Sequence, residues 1–172
     1  LDAKGNVQAY ELLAREEYSP TEDPFLASAQ VLVKVFSIYQ LEQLLDGKRA
    51  FINFTNSLFD EKTLELFPCD RVVPEFTITE APNREFLGKI QYLKKAGFRI
   101  SLDRFSGKAW EVPLLPWMNY VKIDVHEIAA ADMQNLLKLV RAQKYATGMP
   151  LLIATRVETR EQAANCFGNG FD

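Results

Sequence analysis

Histidine and cysteine are scarce in this sequence, and that scarcity excludes much chemistry. His126 is the single histidine among 172 residues, so histidine-rich metal sites and a Ser-His-Asp triad are poor expectations. The two cysteines, Cys69 and Cys166, match no metal-ligand spacing and are too few for a disulfide framework. They read as free thiols, which makes the cytoplasm the expected location. No apolar run approaches the roughly 18 residues needed to cross a bilayer, and neither a membrane segment nor a leader is expected. A net charge of −3 and a pI near 5.3 give no general attraction to nucleic acid or an anionic membrane. Internal repeats and low-complexity stretches are also lacking. What remains for a site is carboxylates, amides and cations.

What is present is enough apolar material for a core, 48 % of residues, and the chain reads as one domain over residues 1–172. Apolar β-prone runs alternate with helical periodicity. Strands are expected at Val7–Arg15, Ala50–Thr55, Val72–Thr77, Arg99–Leu102, Tyr120–Val125 and Leu151–Ala154. Helices are expected over Phe25–Leu45, Glu61–Leu66, Glu85–Ala96, Asp132 to about Tyr145, and Thr159 to about Phe167. Asp132 is read as a helix cap, and Thr159 with Gln162 has capping-box spacing. Pro74 inside a strand suggests a bulge or a pairing gap, because proline lacks a ladder donor. Gly168-Asn169-Gly170 reads as a turn, not a phosphate loop, since no strand precedes it.

Strand then helix, repeated, with apolar strands, points to a parallel α/β architecture. Periodicity alone leaves two forms open, a doubly wound sheet or part of a (β/α)₈ barrel. In either form the strands' C-terminal ends gather the site. Asn53, Glu75, Asp103, Lys122 and Asp124 each lie within or just past an apolar run. Trp110 and Trp117 read as cover for one end of the fold, and His126 as a plain loop residue.

Six motifs in order carry a resemblance. They are Glu11-Leu12-Leu13-Ala14-Arg15, Phe51-Ile52-Asn53-Phe54-Thr55, Asp70 to Thr77 with Glu75, Leu102-Asp103-Arg104-Phe105, Val121-Lys122-Ile123-Asp124, and Ala154 to Thr159. Together they resemble the EAL-domain family, the cyclic di-GMP phosphodiesterases of bacterial signalling. The wording is most like the EAL part of EAL–HDOD proteins. The resemblance implies a (β/α)₈ TIM-like barrel, incomplete here because a first and a last strand are expected beyond Leu1 and Asp172. It also implies that Glu11, Asn53, Glu75 and Asp103 are vestigial metal ligands. It further implies that Lys122 is a retained catalytic position and that Arg15, Lys122 and Asp124 are nucleotide-binding positions.

The departures from the family pattern matter as much. Arg104 stands where a second aspartate ligand is expected, and a cation there repels a neighbouring cation. At about 4 Å the repulsion is about 1 kcal/mol in water and about 4 kcal/mol at an effective dielectric near 20. Thr155 replaces the glutamate that accepts a proton, and a hydroxyl cannot act as that base near neutral pH. Ile78 replaces a loop-anchoring glutamate, Arg156 replaces a glycine, and Ser106 to Trp110 departs from the catalytic-loop pattern. The expectation is a catalytically inactive regulatory module acting by protein contact. No cofactor is expected, with Mg²⁺ or Mn²⁺ required for any residual activity. Expected partners are an HDOD-like domain, attached or separate, or a second copy of the chain. Arg104 and Lys122 are expected to neutralise the carboxylates as a salt-bridged plug. The alternatives are a cyclic di-GMP receptor that does not cut its ligand, or a residual cyclic di-GMP phosphodiesterase.

Overall fold

Six short apolar runs pair side by side, all parallel, in the order in which the chain supplies them. They are β1 (Ala9–Leu12), β2 (Arg49–Asn53), β3 (Val72–Thr77), β4 (Ser101–Asp103), β5 (Tyr120–Asp124) and β6 (Leu151–Thr155). The computed structural model describes residues 1–12, 43, 45–54, 67–145 and 148–172. Strictly sequential order is how a (β/α) barrel is wound, whereas a doubly wound sheet reverses order at its switch point. That decides the choice left open above. Most of the helix expected over Phe25–Leu45, the helix over Glu61–Leu66, and Arg15 lie outside the described residues.

Three helices are described: α1 (Arg84–Lys95), α2 (Ala130–Arg141) and α3 (Arg160–Asn169). Asn83 caps α1 by accepting from the Phe86 N–H at 2.8 Å. Gly97 follows it at φ 89°, a backbone region that glycine tolerates. On α1 Ile90 and Leu93 are buried, and Phe86 half-buried, as the stripe predicts. The expected capping box on α3 forms: Thr159 accepts from Gln162 N–H, and the Gln162 side chain from Thr159 N–H.

Several expectations need correction. Helix α2 begins earlier, with Ala129 as its N-cap, and Asp132 sits in the first turn instead. There its negative charge still favours the helix's positive end. The helix stops at Arg141, and Tyr145 turns back to donate to the Val140 carbonyl at 2.7 Å. Gly168 and Asn169 are helical, and only Gly170 leaves the helix, at φ 94°. Strand β4 starts two residues late, at Ser101. Pro74 stays in β3, paired with Ile52 and buried. Arg71 and Glu75 turn their carbonyls toward β2, accepting from Ala50 and Phe54. By alternation the Pro74 nitrogen faces β4, whose pairing begins only at Ser101 opposite Glu75. No ladder bond is forfeited, so a pairing gap accommodates the proline and no bulge is needed.

The strands' period-two alternation gives the sheet two different faces. Ala50, Ile52, Val72, Phe76, Leu102, Val121, Ile123 and Leu152 point to the helices and form the main core with Ile90, Leu93, Leu137 and Val140. Burying each such side chain contributes about 1.5–3 kcal/mol. The opposite face carries a smaller cluster, Phe51, Val73 and Tyr120, with Ala9 and Ile153 against it. The Phe51 and Tyr120 rings meet edge to face, 5.0 Å between centroids. This smaller cluster is the floor on which the polar site stands.

Candidate functional site

Residues directly opposed on parallel strands point to the same side of the sheet. Glu11 opposes Phe51, Asn53 opposes Glu75, and Glu75 opposes Ser101. Thr77 opposes Asp103, Tyr120 opposes Leu151, and Asp124 opposes Thr155. Followed across the sheet, these pairs put Glu11, Asn53, Glu75, Asp103, Lys122, Asp124 and Thr155 on one face. All lie toward the strands' C-terminal ends, above the Phe51–Tyr120 cluster.

Lys122 organises the deep half of this face. Its Nζ lies 2.7 Å from Glu75 Oε2 and 3.0 Å from Glu11 Oε2. It also sits 4.5 Å from the centre of the Phe51 ring, a cation–π distance. Its side chain is 4 % exposed and that of Glu75 0 %, against 39 % for Glu11. Ser101 Oγ donates to Glu75 Oε1 at 3.1 Å, so both carboxylate oxygens of Glu75 are engaged. Burial pushes the Glu75 carboxyl up to about 7. Lys122 works against that rise, while the charges of Asp103 and Glu11 add to it.

The shallow half is looser. Asp103 accepts from Thr77 Oγ1 at 3.2 Å. Asn53 is exposed at the end of β2. Asp124 is buried, accepts from His126 N–H at 2.9 Å, and takes Arg156 Nη1 at 3.2 Å on its other oxygen. His126 therefore does more than fill a loop, since its Nε2 is 2.9 Å from the Arg156 carbonyl. Arg104 is the clear correction to the expected plug. Lys122 pairs with Glu11 and Glu75, whereas Arg104 reaches Glu127 Oε1 at 3.9 Å and is half-exposed. At φ 51° the backbone at Arg104 is left-handed, which turns the side chain toward the β5–α2 loop.

Sequence reasoning missed three members of the region. Ser101 was read only as a strand residue, although period two from Asp103 places it on the site face. Glu127 gave no signal. Glu111 is buried and accepts from the Ser106 and Lys108 N–H groups at 3.0 and 2.9 Å, and from Ser106 Oγ. It anchors the loop after β4 from within, while Ile78, at the expected anchor position, joins the apolar core.

As arranged, these donors do not fit a pair of divalent cations. The space between the Glu11 and Glu75 carboxylates is taken by an ammonium, Asp103 is turned to Thr77, and Asp124 serves Arg156. A hard dication needs several oxygens converging on one point.

Comparison with known proteins gives a consistent picture. No protein-family model matches the chain. It is 28 % identical over 177 residues to the uncharacterized protein YuxH of Bacillus subtilis (strain 168), covering 98 % of this chain and 42 % of that protein. It is 27 % identical over 176 residues to the cyclic di-GMP phosphodiesterase CdgJ of Vibrio cholerae, covering 99 % and 40 %. The chain thus spans about two fifths of the length of these relatives. Among solved structures, Bacillus subtilis YkuI, a protein with an EAL domain in complex with cyclic di-GMP and calcium, superposes with a TM-score of 0.68 at 18 % identity. That match covers 88 % of this chain and 42 % of YkuI. The chain has the fold of the EAL domain.

A manganese and cyclic di-GMP complex of Klebsiella pneumoniae BlrP1 agrees, with a TM-score of 0.68 at 19 % identity over 89 % of this chain and 43 % of that one. Among the described residues, Glu11, Asn53, Glu75, Asp103, Asp124 and Thr155 of the resembling motifs lie toward the same rim of the parallel sheet. Arg156, where the resemblance leads one to expect glycine, has a φ of 60°, a conformation that glycine adopts at less cost.

Proposed function

We propose that this chain is a non-hydrolysing EAL-type module that passes regulatory signals by protein contact. Its partner is an HDOD-like domain, attached or separate, or a second copy of the chain. One observation carries the reading: the Lys122 ammonium bridges Glu11 and Glu75, so two carboxylates that could hold a cation already have one. Thr155 supports it, because β6 brings a hydroxyl beside Asp124 where hydrolysis needs a base. In two-metal hydrolysis the ions clamp the attacking and leaving oxygens and lower the pKa of the attacking water. Nothing in the described donor set replaces that.

The test is calorimetry with cyclic di-GMP, with and without Mn²⁺, run beside chromatography of the reaction mixture. The expected result is no linear dinucleotide and no effect of chelator. Turnover that EDTA abolishes would return the chain to the phosphodiesterases. A second reading, cyclic di-GMP held without being cut, is favoured by the half-exposed guanidinium groups of Arg104 and Arg156 at the rim. It does not run through Lys122, which is buried, and Arg15 lies outside the described residues.

A further inference from the structure

Arg104 and Arg156 come from different strand ends, β4 and β6, yet converge on the same atom. Arg104 Nη2 is 3.9 Å and Arg156 Nη1 4.0 Å from Glu127 Oε1. We propose that these two arginines form a metal-independent clamp for a phosphate group, with Glu127 as its displaceable internal occupant. The proposal rests on the non-hydrolysing reading of this rim and names the ligand chemistry that such a rim takes.

The distances show that Glu127 is a loose occupant. Charge-assisted hydrogen bonds close to about 2.7–2.9 Å, and both approaches stop an ångström short of that. A phosphate offers more acceptor oxygens than one carboxylate corner and can meet two guanidinium forks at once. The three side chains are 54 %, 52 % and 48 % exposed, so a solute reaches them directly. Arg156 is oriented from beneath by buried Asp124 at 3.2 Å, and His126 holds its carbonyl.

Backbone strain supports the same conclusion independently. Among the described residues, three other than glycine have positive φ: Asp46, Arg104 and Arg156. Asp46 lies in an Asp-Gly turn, where that conformation is ordinary. The other two are the clamp. Exposed ion pairs at the Glu127 distances contribute little stability, so those contacts alone do not account for the left-handed backbone at Arg104, while Arg156 also meets buried Asp124 at 3.2 Å. Strain of this kind collects where function holds it.

The experiment is titration calorimetry with two probes, inorganic phosphate and cyclic di-GMP, each in EDTA and in Mn²⁺ and at low and high salt. Glu127→Gln should tighten binding of at least one probe about fivefold, and Arg104→Gly or Arg156→Gly should weaken it about tenfold or more. Glycine suits the left-handed backbone at both positions, but Arg156→Gly leaves buried Asp124 without its guanidinium, so thermal melting checks the fold of each variant and Arg104→Gly carries the test where Arg156→Gly melts early. Binding of phosphate alone identifies a free anion as sufficient, and binding of the dinucleotide alone identifies a phosphodiester. The clamp is overturned if neither probe binds at millimolar concentration, if binding requires Mn²⁺, or if all three variants bind like the parent. Those failures leave the non-hydrolysing reading standing, whereas Mn²⁺-dependent cleavage with intact metal-free binding overturns that reading and not the clamp.

Discussion

The two halves of the rim use the same chemistry to opposite ends. In the deep half, Lys122 meets Glu75 at 2.7 Å, both nearly out of reach of water, and the more exposed Glu11 at 3.0 Å. In the shallow half, Arg104 and Arg156 meet Glu127 at 3.9 and 4.0 Å, all three half-exposed and both arginines on left-handed backbone. Burial makes the first group an internal plug, expensive to break and closed to ligands. Exposure makes the second inexpensive to rearrange and open to them. Counting charges across the rim would have treated the two as equivalent.

The largest effect should come from breaking the deep half. Lys122→Met leaves Glu75 buried without its cation, and the expected loss is about 3–5 kcal/mol in urea unfolding at pH 9. Near pH 5 the loss should shrink, because Glu75 then takes up a proton. Adding Glu75→Gln to Lys122→Met should recover most of the loss at pH 9. If Lys122→Met costs nothing at pH 9, the deep half is not the plug described.

Next comes the pH dependence. Glu75 is raised from 4.5 to about 7 in the folded chain, so between those values the folded state holds more protons than the unfolded one. The stability it contributes is full below pH 4.5 and is lost as the pH rises through 7. The total is on the order of 3 kcal/mol. Glu75→Gln should flatten that slope in midpoints measured across pH 4.5 to 8.

A smaller effect is expected at the loop after β4. Glu111→Ala strands the Ser106 and Lys108 N–H groups, at a cost of about 1–3 kcal/mol, and should speed hydrogen exchange at both amides. The smallest is at the shallow half. Arg104→Gly removes a weak exposed pair and relieves left-handed strain, so stability should hold or rise by up to about 1 kcal/mol. A loss greater than that would mean Arg104 is structural, like Lys122.

How much of this was legible in the sequence follows the same division. Strand residues were readable because period two fixes which side chains share a face. Asn53, Glu75, Asp103, Lys122 and Asp124 were grouped by their place at the ends of apolar runs and Glu11 through the resemblance, and the sheet puts all six on one face. Pro74 misled only in suggesting a bulge, since which neighbour its nitrogen faced depended on where β4 begins. The loops were not readable. Arg104's turn toward Glu127 follows from a left-handed φ that its residue type does not advertise. Glu111's role as anchor depends on a loop closing over it.

The most direct test of the central claim is a manganese soak of crystals, read by anomalous scattering at the rim. The account predicts Lys122 Nζ still between Glu11 and Glu75 and no manganese peak among Glu11, Asn53, Glu75 and Asp103. A pair of peaks bridged by Asp103, with Lys122 displaced from the two glutamates, would contradict it.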